Sequence, residues 1–191
     1  MKISRTGFIA TSLALAAGLI CNAAQAQSGA TWPSKPVRLV VTFPPGGSSD
    51  AAARIVAPKL AERLGQPVIV DNKPGGGGGV GLDIVAKSPA DGYTIVLASA
   101  GGLTANPSLY PKLTYDPVRD FAPITLFGTS PFALVAKPTL PANTAKEVVA
   151  LAKAQVGRLS YASGGSGTAM HLSGELLKSM TGSYILHVPY R

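Results

Sequence analysis

The apolar run Val37-Arg38-Leu39-Val40-Val41 ends at Thr42-Phe43-Pro44-Pro45-Gly46-Gly47-Ser48-Ser49-Asp50, and a helical pattern follows from Ala51 to Leu64. A buried strand that turns this sharply into a helix belongs to few architectures. Two prolines stop the strand, two glycines let backbone approach backbone, and Ser48, Ser49 and Asp50 are all suitable helix caps. The turn gathers free N–H groups and the positive end of a helix dipole at one spot, which suits a carboxylate or phosphate. An ordinary capped βα turn accounts for this stretch equally well until the rest of the chain is read.

The same alternation continues to the last residue. Strands are expected over 37–43, 68–71, 93–98, 121–127, 132–136, 159–162 and 184–188. Helices are expected over 49–64, 80–87 and 168–181, with a further one opened by the capping box Thr144-Ala145-Lys146-Glu147 and a helical turn within 104–110. Ile55, Val56, Leu60 and Leu64 would form the inner face of the first helix, and Pro58 would kink it. Strands separated by helices imply parallel sheets with right-handed crossovers, hence an α/β class. The proline-flanked stretch 128–141 is the natural boundary between lobes, giving a first lobe over 27–130 and a second over 131–191.

Met1 to Arg5 is a short basic start, followed by an apolar run from Gly7 to Ile20 and the small-residue site Ala24-Gln25-Ala26. This is the pattern of a secretory signal cleaved after Ala26, so residues 1–26 are expected to be removed and the protein exported to the periplasm. Cys21 would leave with the signal, and the remainder contains no cysteine for disulfides or thiol catalysis. The formal charge is +8, or +6 without Lys2 and Arg5, and the basic residues stand singly with no aromatic interleaving. Nucleic-acid binding is therefore not expected, whereas anionic small molecules fit the charge.

Three further stretches bear on chemistry. The glycine run Gly75 to Gly79 formally satisfies G-x-G-x-x-G through Gly76, Gly78 and Gly81. A run of glycines matches that pattern by chance, and no acidic residue follows about 20 positions on, so a dinucleotide site is rejected. The run is either a flexible connector or, with Gly76, a wall whose missing Cβ atoms expose backbone N–H groups to a ligand. Ser99 and Thr104 follow the third strand, at the carboxyl end where open α/β sheets bind ligands. Finally, Ser160 to Gly167 runs from a short strand into a Gly/Ser turn, with Ser166 or Thr168 capping the next helix. Two such helix starts facing one another would hold both ends of a dicarboxylate or clamp one carboxylate.

No G-x-S-x-G is present, no His/Asp/Glu cluster suggests a metal, and neither His171 nor His187 is marked as a base. No catalytic residue, metal or cofactor is expected. Asp50 is open between a cap and a contact to a ligand ammonium, and His171 between facing the cleft and packing on its lobe.

The segments Trp32-Pro33-x-Lys35-Pro36-Val37-Arg38, Pro45-Gly46-Gly47-Ser48-x-Asp50, Leu64-Gly65-Gln66-Pro67-Val68 and Asn72-Lys73-Pro74-Gly75 form an ordered set of motifs. The set continues with Pro89-Ala90-Asp91-Gly92-Tyr93-Thr94, Asn106-Pro107-x-Leu109-Tyr110 and Tyr161-Ala162-Ser163-x-Gly165-x-Gly167-Thr168-x-x-His171. Together they resemble the Bug or TctC-type solute-binding proteins of tripartite tricarboxylate transporters. That resemblance implies a two-lobed, type II periplasmic-binding-protein fold that closes on a small carboxylate through backbone amides and ordered water. It implies ligand contact at Gly46, Gly47, Ser48, Asp50, Gly76, Ser163, Gly165, Gly167 and Thr168, with a monomer delivering its ligand to membrane permease subunits. Family members are longer, so the second lobe is expected to be incomplete at the C-terminus and the isolated chain to fold poorly or bind weakly. A ligand-presenting receptor for a sensor system and an exported hydrolase using Ser166 are the other readings.

Overall fold

Val37–Val41 forms strand β1, and its residues explain its place: Val37, Val40 and Val41 are essentially inaccessible, and Leu39 nearly so. Alternation puts Val40 on the opposite face from Leu39 and Val41, so β1 is covered on both sides and must be a central strand. In the computed structural model, which describes residues 31–190, this is what is found. Helix α1 (Ser48–Leu64) carries the chain to β2 (Val68–Asn72), and helix α2 (Gly79–Ala86) carries it to β3 (Thr94–Leu97). The three strands are parallel in the order β2-β1-β3, with Leu39 opposite both Val70 and Ile95. The first crossover thus steps to one side of β1 and the second to the other, which opens a crevice beyond the carboxyl ends of β1 and β3.

The core under this sheet is built from Leu39, Val41 and Ala53, with Val68, Val70, Ile95 and Leu97 packed around it. α1 runs without interruption through Pro58 and ends on Gly65 in the left-handed region. Its buried positions are Asp50, Ala53 and Ala57, whereas Ile55 is 65% exposed. The expected inner face is corrected at Ile55 alone: Val56, Leu60 and Leu64 are half-buried, and Ala53 and Ala57 are the fully covered positions beside them. Ladder bonds are tied off by Val37 N–H to the Pro67 carbonyl and Arg38 N–H to the Tyr93 carbonyl.

After β3 the chain makes a wide helical turn over Gly101–Ala105 and a one-turn helix α3 (Asn106–Leu109). Residues 121–136 contain no strand, contrary to expectation, and Ile124, Leu126, Phe132, Leu134 and Val135 are all exposed. Strand propensity is a preference for a half-covered pleated surface, and this stretch pairs with neither sheet. Helix α4 (Ala145–Ala154) follows, opened by the capping box as read: Thr144 Oγ1 accepts from Glu147 N–H at 3.2 Å, and Glu147 Oε2 accepts from Asn143 N–H at 2.6 Å. Strands β4 (Ser160–Ser163) and β5 (Leu186–Pro189) pair in parallel through helix α5 (Ala169–Thr181), forming a second, two-stranded sheet. Residues 1–26, read as a secretory signal, lie outside the described residues. Among the described residues no helix is long and apolar enough to cross a membrane.

Candidate functional site

The crevice beyond β1 is shaped first by the turn that leaves it. Gly46 takes a φ of 84°, which a side chain would strain, and Gly47 is the extended residue that precedes α1. No side chain caps this helix; the expected serine or aspartate cap is replaced by Gly47. The first-turn N–H groups of a helix have no intrahelical acceptor, and here Gly46, Gly47 and Ser48 are exposed.

Asp50, in the first turn, does something else. Its carboxylate accepts from Gly46 N–H at 2.9 Å, from Arg54 Nε at 3.0 Å on both oxygens, and from Asn72 Nδ2 at 3.0 Å. Asn72 Nδ2 also reaches the Phe43 carbonyl at 3.0 Å, and Arg54 Nη2 donates to Asn72 Oδ1 at 3.2 Å. The Arg54 guanidinium, with the Gly46 amide and Asn72, lowers the Asp50 carboxyl to about 2 against the opposing effect of burial. Both oxygens are committed to holding the turn, which leaves the exposed Gly47 and Ser48 backbone outside this network.

The glycine run supplies the second wall. Gly76–Gly78 is a tight turn in which Gly75 through Gly78 all have positive φ. A Cβ on Gly78 would stand 3.3 Å from Thr42 Oγ1 and 3.7 Å from Ser99 Oγ, at the carboxyl ends of β1 and β3. A Cβ on Gly77 would stand 2.6 Å from the Ser166 carbonyl oxygen, on the second sheet's turn. Gly78 thus lies against the ends of β1 and β3 and Gly77 against the Ser166 turn, so the run is a wedge between strand ends and turn rather than a loose connector. Ser99 Oγ accepts from Gly102 N–H at 3.3 Å; Thr104 Oγ1 turns back to the Ala100 carbonyl at 2.8 Å and is not brought to the wedge by any contact of its hydroxyl.

The second helix start is closed by its own side chains. Thr168 caps α5, accepting from His171 N–H at 3.3 Å while donating to the Gly165 carbonyl at 2.7 Å. Gly165 N–H donates to Ser163 Oγ and Gly167 N–H to His171 Nδ1, both at 3.2 Å. Gly165 and Gly167 have φ of 116° and 83°. Ser163 Oγ lies 2.6 Å from His187 Nε2, and the His187 ring stacks on His171 at 4.2 Å and on Tyr161 at 4.9 Å. Burial, aided by His171, pushes the His187 imidazole down, so it is neutral near pH 7. His171 thus packs within its own sheet and helix. The serine bonded to a histidine is Ser163, buried at 6% exposure, rather than Ser166.

Ser163, Gly165, Gly167 and Thr168 are drawn together in this turn, and the turn meets the glycine wedge along a seam of backbone. A Cβ on Gly101 would collide with the Gly167 carbonyl oxygen, and Tyr110 Oη donates to the Ser166 carbonyl at 3.2 Å. Sequence reasoning missed the side chain that underlies the seam, Asn106, which is fully buried and donates to the Gly76 carbonyl and Tyr115 Oη. Its only signal was its place in Asn106-Pro107-x-Leu109-Tyr110. An open hollow of about 280 Å³ adjoins the other flank of this region, between α2 and residues 110–115, and Gly76 is the one expected site residue that lines it. Among the described residues no three His, Cys, Asp or Glu converge as metal ligands.

The geometry has counterparts in known proteins. A family model described as "Tripartite tricarboxylate transporter family receptor" matches residues 52–191. Protein BugT of Bordetella pertussis is 40% identical over 165 residues, 86% of this chain and 51% of that protein. MatC from Rhodopseudomonas palustris with bound malate superposes with a TM-score of 0.78 at 31% identity, covering 83% of this chain and 54% of its own. An R. palustris protein solved with adipate gives a TM-score of 0.74 at 35% identity, covering 83% and 53%. The chain spans about half the length of the curated relatives it matches.

Proposed function

Because the chain belongs to the tripartite tricarboxylate transporter family of receptors, we propose that it captures a small carboxylate in the periplasm and hands it to membrane permease subunits. The observation that carries this reading is the uncapped start of α1 at the sheet's switch point, where the exposed Gly47 and Ser48 backbone stands outside the network that Asp50 makes with Gly46, Arg54 and Asn72. Main-chain N–H groups only donate, so they select an acceptor, and the helix dipole favours a negative one. The solved relatives carry malate and adipate, which supports a carboxylate as the cargo class. The two lobes, 27–130 and 131–191, then close on the ligand along the glycine seam, with Gly76, Ser99, Thr104, Ser163, Gly165, Gly167 and Thr168 around it. Export with loss of residues 1–26 places the protein beside such permeases.

Nothing in this scheme transforms the ligand. Hydrogen bonds to a charged group contribute about 1.5–3 kcal/mol each, and a few of them, less the cost of immobilisation, give roughly micromolar affinity. Titration calorimetry of the chain against mono-, di- and tricarboxylates tests the reading. Saturable binding of at least one acid, with no consumption of that acid, is expected; absence of binding across the panel overturns it.

A further inference from the structure

Asn106 opens α3 with its side chain wholly out of water, and its orientation is fixed by its neighbours. Nδ2 donates to the Gly76 carbonyl at 3.2 Å and to Tyr115 Oη at 3.1 Å, while Tyr115 spends its own proton on the Gly102 carbonyl at 2.5 Å. Neither partner has a proton to give, so the amide cannot be turned round. Oδ1 therefore points the other way, and it has no hydrogen-bond partner. Two glycines bound it: a Cβ would lie 2.6 Å away on Gly167 and 3.1 Å away on Gly77. A buried acceptor without a donor costs free energy that a correctly placed donor would recover.

The nearest atoms of the second turn to Gly77 and Gly101 are main chain, the Ser166 and Gly167 carbonyl oxygens foremost. A ligand consisting of carboxylate alone brings only acceptors, and an acceptor set against Oδ1 is repelled. We propose that Asn106 Oδ1 is a specificity-determining acceptor, receiving the hydroxyl or ammonium group carried on the carbon beside the ligand's carboxylate. The chain would then prefer 2-hydroxy and 2-amino acids over their unsubstituted counterparts, through both the donor gained and the repulsion avoided. Access would come from the Ser166-Gly167 turn, which the Tyr110 Oη bond to the Ser166 carbonyl ties to the Asn106 side. This inference rests on the carboxylate-binding reading and adds to it the chemistry of the neighbouring substituent.

Calorimetric titration with matched acids tests it: succinate against malate and aspartate, glutarate against 2-hydroxyglutarate, adipate against 2-hydroxyadipate, propionate against lactate. In the pair that fits the site, the substituted acid is expected to bind about tenfold or more tightly. Asn106→Ala is expected to erase that preference, and Tyr115→Phe, which removes one of the two acceptors that orient the amide, is expected to weaken it. Should Asn106→Ala fail to fold, as seen by circular dichroism, the wild-type ratios together with Tyr115→Phe decide the matter. Equal binding of both members by the wild type, or a preference that survives in Asn106→Ala, overturns the role of Asn106 while leaving carboxylate binding intact. If no acid in the panel binds at all, the carboxylate reading falls and this inference with it.

Discussion

Gly46 N–H donates to Asp50 Oδ2 at 2.9 Å, reaching across the start of α1 to a residue four positions on. That bond, with Arg54 and Asn72 on the same carboxylate, fixes the shape of the turn while leaving the amides of Gly47 and Ser48 outside the network. Its consequences can be measured at the turn, at the seam and across pH.

Asp50 has a folded-state pKa of about 2 against an ordinary 3.8, chiefly through Arg54. A depressed carboxyl contributes stability that is present above its unfolded pKa and lost as pH falls through the folded value. Melting temperature should fall as pH drops from about 4 to about 2, and the fall should be smaller in Asp50→Asn, which also melts lower than wild type at pH 7. Parallel curves for the two proteins would show that Asp50 does not hold the turn.

Ser48→Pro isolates one amide. Proline is well tolerated at the first position of a helix, and Gly47, at φ −79° and ψ 171°, already has the extended conformation a following proline requires. The substitution removes a single N–H. Affinity for the bound acid is expected to drop by about 1.5–3 kcal/mol, the worth of a hydrogen bond to a charged group, while the melting temperature stays within a degree or two of wild type. Unchanged affinity would remove the α1 start from the site.

The seam is tested by methyl groups. A Cβ on Gly101 would collide with the Gly167 carbonyl oxygen, whereas one on Gly128 meets nothing within 4 Å. Gly101→Ala is expected to destabilise by about 1–3 kcal/mol, as overpacking does, and Gly128→Ala by less than about 0.5 kcal/mol. Urea unfolding of both variants makes the comparison.

His187 gives a second pH window. Burial, then the neighbouring His171, lowers its pKa below the ordinary 6.5, so the fold prefers the neutral ring. Stability from this source is complete above the unfolded pKa and is lost as pH falls below it, because the unfolded chain takes up the proton first. Wild type should lose melting temperature between about pH 7 and pH 5, and His187→Gln should lose less over that range. The same variant frees Ser163, whose Oγ is bonded to His187 Nε2.

Much of this was legible in the chain because the signals were local. Apolar runs punctuated by Pro and Gly marked β1, α1 and β2, and the capping box at Thr144 marked the start of α4. What depended on distant partners was not legible. The β-rich stretch 121–136 reads as two strands, yet strand propensity has no expression without an edge to pair with. Ile55 reads as core by periodicity, but the close approach of Ala53 and Ala57 to the sheet turns it outward. Asn106 gave no hint of burial, since its surroundings come from segments 30 and 61 residues away, at Gly76 and Gly167. The Ser163–His187 pair, 24 residues apart, was hidden for the same reason.

Where Gly77 and Gly101 meet Ser166 and Gly167, main chain lies against main chain, with Asn106 Oδ1 beside Gly77 and Gly167 and the Tyr110 hydroxyl on the Ser166 carbonyl. Contact between backbones leaves little tolerance in spacing, because Gly77 and Gly101 carry no side chain that could rotate to take up a change. The joint keeps its distance through missing Cβ atoms rather than through interlocked side chains.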